Sequence, residues 1–443
     1  MKKVLVITYF SPPCCAIGVH RSLRFIKNLP QYNWTPTVLT IKENYYEDYY
    51  KMDSSLMEKI PKEVEIFRTK VSKPFLSLIK VRNRIITKEN HKEPSDRKSE
   101  RKCTVWQHIK DWISDLLTLP DVQIGWFPYA ICSGIKLIKQ KKIDLIYAVG
   151  PPWTTHLIGL FLKYVTKKPL VVDFRDPWIQ NPWRRKYSTL RLIIEKFMEK
   201  KVIKSADRVV ANTNSLRDDF LKRYNLDSIK CTTITNGFDS DDFREIESST
   251  FSRDSKIFTI THTGTFYNER NPITFLQAVA NLVLEGKIPK DEIRINLIGV
   301  IDIEGFQIEE FLEKIGIKDI VHLTNDYIPH TKCLEYLFNS DILLLIQPAT
   351  ALQVPGKVFE YIRIGKPIFT LAIEGETANL IRGEGIGVIV DPDNIERIKE
   401  EFYNLYMKFK TGKLFINLNS NVIEKYNGAK LTKELAQVFS EVS

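Results

Sequence analysis

Two stretches in the second half of the chain have the residue types and spacing to hold an anion beside a group that binds hydroxyls. In "QVPGKVFEYIRIGKP", Pro355 and Gly356 open a short apolar helix that closes at Gly365, and it carries Lys357 at its start and Glu360 one turn further in. A helix start offers unpaired N–H groups and the positive end of its dipole to an anion. The N–H groups around Gly356, Lys357 and Val358 therefore suit a phosphate, while Glu360 can accept hydrogen bonds from two vicinal hydroxyls of the kind a ribose presents. Upstream, in "KIFTITHTGTFYNERNPITFLQAV", a strand ends at Gly264, a polar loop carries Arg270, and Asn271 and Pro272 stand at the N-cap and first position of the next helix. An arginine beside such a join can grip a diphosphate bidentately. One ligand carrying a diphosphate and a ribose accounts for both stretches.

The first half has its own candidates. "VLVITYFSPPCCAIGVHRSLRF" places Gly18 where backbone can approach a ligand, with His20 and Arg21 expected to face it from the first turn of a helix. "AVGPPWTTHLIGL" carries His156, and "VVDFRDPW" puts Asp173, Arg175 and Asp176 at the carboxyl end of a buried strand. An aspartate and a histidine at neighbouring strand ends could orient an acceptor hydroxyl or take its proton.

These residues need strand ends and helix starts to hold them, and the sequence supplies both. Short β-branched runs alternate with amphipathic stretches: "KVLVITY", "TPTVLT", "DLIYAVG", "PLVVDF", "DRVVANT" and "CTTITNG", then "KIFTITHTG", "IRINLIG", "DIVHL", "DILLLI", "KPIFTL" and "GVIV". Continuous apolar strands separated by helices predict parallel sheets covered on both faces. At 443 residues the chain exceeds one usual core, so the pattern reads as two doubly wound domains, 1–245 and 246–420, followed by a terminal stretch 421–443. Residues 80–102 interrupt the rhythm with nine basic and four acidic side chains, and are read as a solvated basic insertion, with lipid headgroups as the functional alternative.

Composition narrows the field. Hydrophobic residues make up 43% and charged residues 27%, as in a globular protein. The formal charge of +11 favours an acidic partner: a nucleotide, a phosphorylated lipid or an anionic membrane. Nucleic acid is disfavoured because the basic residues are spread and the aromatics fit cores. The apolar start ends at Ser11-Pro12-Pro13 with no cleavage pattern, and "HLIGLFLKYV" is too short to span a bilayer, so a cytoplasmic protein with at most peripheral membrane contact is expected. The six cysteines contain no C-x-x-C pair and are read as reduced thiols. "GEGIG" precedes its strand, and the D-x-D matches at 239–242 and 391–393 lie at the join and in a turn. No metal or cofactor is assigned.

In order and spacing, "SPPCCAIGVHR", "GPPWTTHLIG", "DFRDPW", "ITNGFDSDDF", "HTGTFYNERNP", "YIPHTKCLEYLFNSDILLLI" and "PGKVFEYIRIGKPI" resemble the retaining glycosyltransferases of the GT-B fold, family 4, over nearly the whole chain. The resemblance implies two Rossmann-like domains facing each other across a cleft, a nucleotide sugar held mostly by the second, an acceptor held mostly by the first, and terminal helices crossing back. It implies that Glu360 is the second glutamate of an E-x7-E motif and binds ribose, although Leu352 stands where the first glutamate belongs. It also implies that Arg270 binds the diphosphate, that Gly18 belongs to a loop covering it, and that Arg175-Asp176 lie near the donor sugar. Catalysis would then rest on Arg270, Lys357, Asp176 and His156, with retention through front-face attack. The expected reaction is sugar transfer to a glycan or lipid-linked acceptor in surface polysaccharide synthesis. A nucleotide-sugar epimerase and a non-catalytic glycan- or membrane-binding relative are the alternatives.

Overall fold

The computed structural model describes residues 1–16, 18–47, 49–72, 117–182, 184, 188–247 and 256–443. The basic insertion expected at 80–102 lies outside them. The chain divides into two units, Met1–Ile234 with Thr432–Ser443, and Thr235–Leu431.

In the first unit, seven strands form one parallel sheet: β1 (Lys2–Ile7), β2 (Trp34–Ile41), β3 (Glu65–Thr69), β4 (Leu145–Gly150), β5 (Leu170–Phe174), β6 (Arg208–Ala211) and β7 (Cys231–Thr233). Their order is β3-β2-β1-β4-β5-β6-β7, which reverses direction between β1 and β4. Such a reversal opens a crevice at the carboxyl ends of the two strands, where doubly wound sheets bind ligands. Three helices leave the strand ends that matter below: α1 (Val19–Asn28) follows β1, α2 (Thr154–Thr166) follows β4, and α3 (Thr189–Ser205) lies between β5 and β6.

The second unit repeats the plan with six strands: β8 (Phe258–Thr263), β10 (Ile293–Ile298), β12 (Val321–Thr324), β13 (Ile342–Gln347), β14 (Ile368–Ala372) and β15 (Gly387–Val390). The order is β12-β10-β8-β13-β14-β15, so the reversal lies between β8 and β13. A two-stranded ribbon pairs β9 (Phe266–Tyr267) with β11 (Ile301–Asp302). Strand β13 shows why the run "ILLLIQ" is apolar throughout. Ile342, Leu344 and Ile346 enter one core, Leu343 and Leu345 the core on the opposite face. Helices α4 (Ile273–Leu284), α5 (His330–Phe338) and α6 (Lys357–Ile364) follow β8, β12 and β13.

Every expected strand is present. The structure adds β3 and the β9–β11 ribbon, which the sequence pattern does not reveal. The join differs from the expected 245 for a physical reason. Phe238, Phe243 and Ile246 all pack into the second unit's core, which draws the preceding segment into that unit. Val422, Ile423 and Tyr426 pack against the same core, so the terminal stretch changes units at 432 rather than 421. Beyond it, α7 (Gly428–Val442) carries Phe439, fully buried in the first unit with ring centroids 5.3 Å from Trp34 and 5.2 Å from Tyr147. Burying such a ring contributes about 2–3 kcal/mol. Among the described residues, no helix is long and apolar enough to cross a membrane.

Candidate functional site

In the second unit the carboxyl ends of β8 and β13 bring Gly264, Arg270, Lys357 and Glu360 together. Helix α6 buries Val358, Phe359, Tyr361 and Ile362 in the core. Lys357 and Glu360, three residues apart, therefore share its other face. Gly356 is the N-cap, and Gly365, with φ of 75°, ends the helix in the left-handed conformation. The Val358 N–H is already donated to the Pro355 carbonyl at 3.1 Å, and its side chain is buried, so Val358 is not available to a ligand as the sequence suggested.

The Lys357 ammonium reaches back across the sheet end, donating to the Thr263 carbonyl and standing 3.4 Å from His262 Nε2. The other His262 nitrogen, Nδ1, lies 2.9 Å from the Leu344 carbonyl, to which it can only donate. Nε2 is then the acceptor that faces Lys357. Burial, reinforced by the lysine charge, drives the His262 pKa well below its usual value and keeps the ring neutral. Gly264, at φ of +122°, allows the crossing: any side chain there would run into the Lys357 ammonium.

Arg270 approaches from the loop after β8. Its guanidinium lies over the Tyr267 ring at 5.2 Å, Nη2 donates to Gln347 Oε1, and the Gln347 amide nitrogen donates to Thr350. Arg270 Nε is buried with no hydrogen-bond partner. An orphaned guanidinium N–H is costly unless something supplies an acceptor. Burial lowers the pKa of Arg270, and burial followed by the Arg270 charge pushes Lys357 down to about 7, with Glu360 opposing. The helix after this loop begins one residue later than expected. Pro272 is the N-cap, while the Asn271 side chain accepts from the Ile273 N–H at 3.2 Å.

Glu360 is held from α5. Its Oε1 lies 3.0 Å from His330 Nε2, and His330 Nδ1 is 3.9 Å from Asp242 Oδ2. His262, Gln347, Thr350 and His330 are site residues that sequence reasoning missed. A polar residue closing the central strand "ILLLIQ" and a histidine within "TITHT" were the available signals.

The first unit behaves differently. Arg21 turns into the core and forms a bidentate pair with Asp173, Nε to Oδ2 at 2.9 Å and Nη2 to Oδ1 at 3.0 Å. Nη2 also donates to the Ile234 carbonyl at 2.8 Å, and the Tyr147 hydroxyl donates to Asp173. Burial alone would lower the Arg21 pKa, but Asp173 outweighs it and raises it. His156 is sealed too. Its Nε2 lies 3.0 Å from the Asp173 carbonyl, and burial lowers its pKa to about 4. Arg21, Asp173 and His156 are thus buried groups that bond to one another's residues rather than acceptor-facing ones. His20 is exposed. Arg175 and Asp176 stay near the surface, paired at 3.1 Å, with the Arg175 guanidinium occupying the space that a side chain at Gly18 would fill.

Similar proteins give this geometry a context. Residues 94–242 match the model of Glycosyltransferase Family 4. The chain is 21% identical over 319 residues to the UDP-Gal:alpha-D-GlcNAc-diphosphoundecaprenol alpha-1,3-galactosyltransferase of Escherichia coli, covering 70% of this chain and 77% of that one. It superposes on Anabaena HepE in complex with UDP-glucose with a TM-score of 0.60 at 14% identity, covering 100% of both chains. A UDP-N-acetylglucosamine 2-epimerase matches with a TM-score of 0.52 at 13% identity, covering 99% of this chain and 97% of that one. At these identities the superpositions speak for the fold, which transferases and epimerases share. The match to the family 4 model is confined to residues 94–242, and the whole chain carries the GT-B fold.

Proposed function

We propose that the chain is a retaining glycosyltransferase that moves a hexose-type sugar from a nucleoside-diphosphate sugar to a glycan or lipid-linked acceptor in surface polysaccharide synthesis, working at the cytoplasmic face of a membrane. The observation that carries this reading is the pair Arg270 and Lys357. Two desolvated cations meet at a sheet reversal, and one of them holds a buried N–H without an acceptor. A diphosphate would supply that acceptor and the missing negative charge. When the glycosidic bond to the donor phosphate breaks, charge grows on the leaving diphosphate, and groups already aimed there stabilise it more than they stabilise the bound donor. Gly356 and the start of α6 add N–H groups, and Glu360 takes the ribose hydroxyls. The three similar proteins described above all name a UDP sugar, so UDP is the first nucleotide to try.

His20, Arg175 and Asp176 are the accessible candidates of the first unit. Leu352, in place of a glutamate, leaves the sugar ring with fewer fixed contacts, which favours a donor held chiefly through its nucleotide.

Calorimetric titration with UDP, GDP, ADP, CMP and dTDP, with and without a chelator, tests the reading. Selective binding to one diphosphate that Glu360→Ala weakens about tenfold, the worth of one or two hydrogen bonds to a carboxylate, is the expected result. Binding of none would favour a non-catalytic relative. The shared fold keeps an epimerase as the second reading, and an isomerised sugar formed from donor without acceptor would establish it.

A further inference from the structure

The outer face of α3 is built inside out. Its acids, Glu195 and Glu199, are buried and serve arginines: Glu195 pairs with Arg191 at 2.6 Å and Arg184 at 2.7 Å, Glu199 with Arg223 at 2.6 Å. Arg191 in turn binds Thr118 and the Pro120 carbonyl. With the charges turned inward, the apolar side chains face out. Leu190, Ile193 and Phe197, at i, i+3 and i+7, form one exposed stripe, with Ile193 59% and Phe197 67% accessible. The same stripe continues as Lys200, Lys201 and Lys204, all exposed. Helix α2 extends the surface with exposed Phe161, Tyr164 and Val165, and is tied to α3 by the Tyr164 hydroxyl at 2.9 Å from the Ser205 hydroxyl and by Lys201 at 5.8 Å from the Tyr164 ring. Helix α2 contains no acid.

We infer that this α2–α3 face docks on an anionic lipid surface. Large exposed aromatics and aliphatics on a water-facing helix need an apolar phase. An exposed lysine cluster on a helix whose own acids are buried, beside a helix that has none, needs negative charge beside it. A bilayer bearing anionic headgroups offers both within the depth of one helix face, whereas a nucleic acid or an acidic peptide offers only the charge. The lysine stems lie along the apolar part while their ammonium groups reach the headgroups. This inference stands on the first unit alone and does not depend on the donor site.

The test is co-sedimentation of the full chain with vesicles of phosphatidylcholine, alone or mixed equally with phosphatidylglycerol. Binding to the anionic vesicles only, weakened about tenfold by Ile193→Glu/Phe197→Glu and to a similar extent by Lys200→Glu/Lys204→Glu or added salt, is expected. Equal binding of wild type and variants would overturn it. So would a dimer in sedimentation equilibrium that the apolar variants dissolve, since the stripe would then cover a second copy. A lowered melting temperature in Ile193→Glu/Phe197→Glu would mean that another part of this chain covers the stripe, and would overturn it equally. Nucleotide titrations of the variants should match wild type. A wild type that binds vesicles but no nucleotide would sink the donor site and leave this surface in place.

Discussion

Two arginines at equivalent places in the two units, each beside the reversal of its sheet, meet opposite fates. Arg21 is saturated: a bidentate carboxylate, a carbonyl and the Asn212 side-chain oxygen at 3.5 Å surround it. Arg270 has an uncharged amide, a tyrosine face and an N–H with nothing to bond. The fold has already neutralised the first charge and has left the second uncompensated. The contrast separates a saturated arginine from an unsaturated one where position in the topology does not.

The largest effect should come from breaking the saturated side. Asp173→Ala leaves Arg21 buried without a counter-charge and should destabilise the first unit by about 3–5 kcal/mol, read by chemical denaturation. The nucleotide affinity proposed for the second unit should survive in the folded fraction. A stability close to wild type would put Arg21 among the accessible groups after all.

Arg270→Ala should do the reverse. Removing a desolvated cation from beside Lys357 should leave the melting temperature unchanged or higher, while turnover with the correct donor falls about a hundredfold, the usual cost of one transition-state donor. A drop in stability with turnover intact would make Arg270 a second Arg21.

The smallest effect sharpens the comparison through pH. Native Lys357 loses its proton near pH 7, whereas the unfolded chain keeps it to 10.5. The unfolded state therefore binds more protons between those values, and the second unit should gain stability as pH rises from 7 toward 10, with no contribution from this group below 7. Diphosphate binding favours the charged amine, so affinity should fall severalfold between pH 6 and 8, with proton uptake seen as a buffer-dependent heat. Lys357→Arg should flatten that dependence; an unchanged profile would assign the titration elsewhere.

The same contrast explains what could be read from the sequence. The strands were legible because burial on both faces leaves a continuous apolar run. Strand β3, "EIFRT", escaped since it sits at the sheet edge and carries charge. That Arg270, Lys357 and Glu360 come together was legible because each lies within a few residues of a helix start. By sequence Arg21 and Asp173 look ligand-facing, since each follows or ends a strand as a ligand group would. Their true partnership spans 152 residues, and no local pattern encodes it. His330 on Glu360 was lost for the same reason.

The return of α7 to the first unit has a consequence for biogenesis. Phe439 fills the space between Trp34 and Tyr147, and Lys2 donates to the Ser443 carbonyl at 2.9 Å, so the first unit closes on residues the ribosome makes long after its strands. The second unit is continuous in sequence and has all its core in hand by Leu431. The unit begun first in synthesis is therefore the one whose core is supplied last, since Trp34 has no Phe439 to pack on until the final helix has been made.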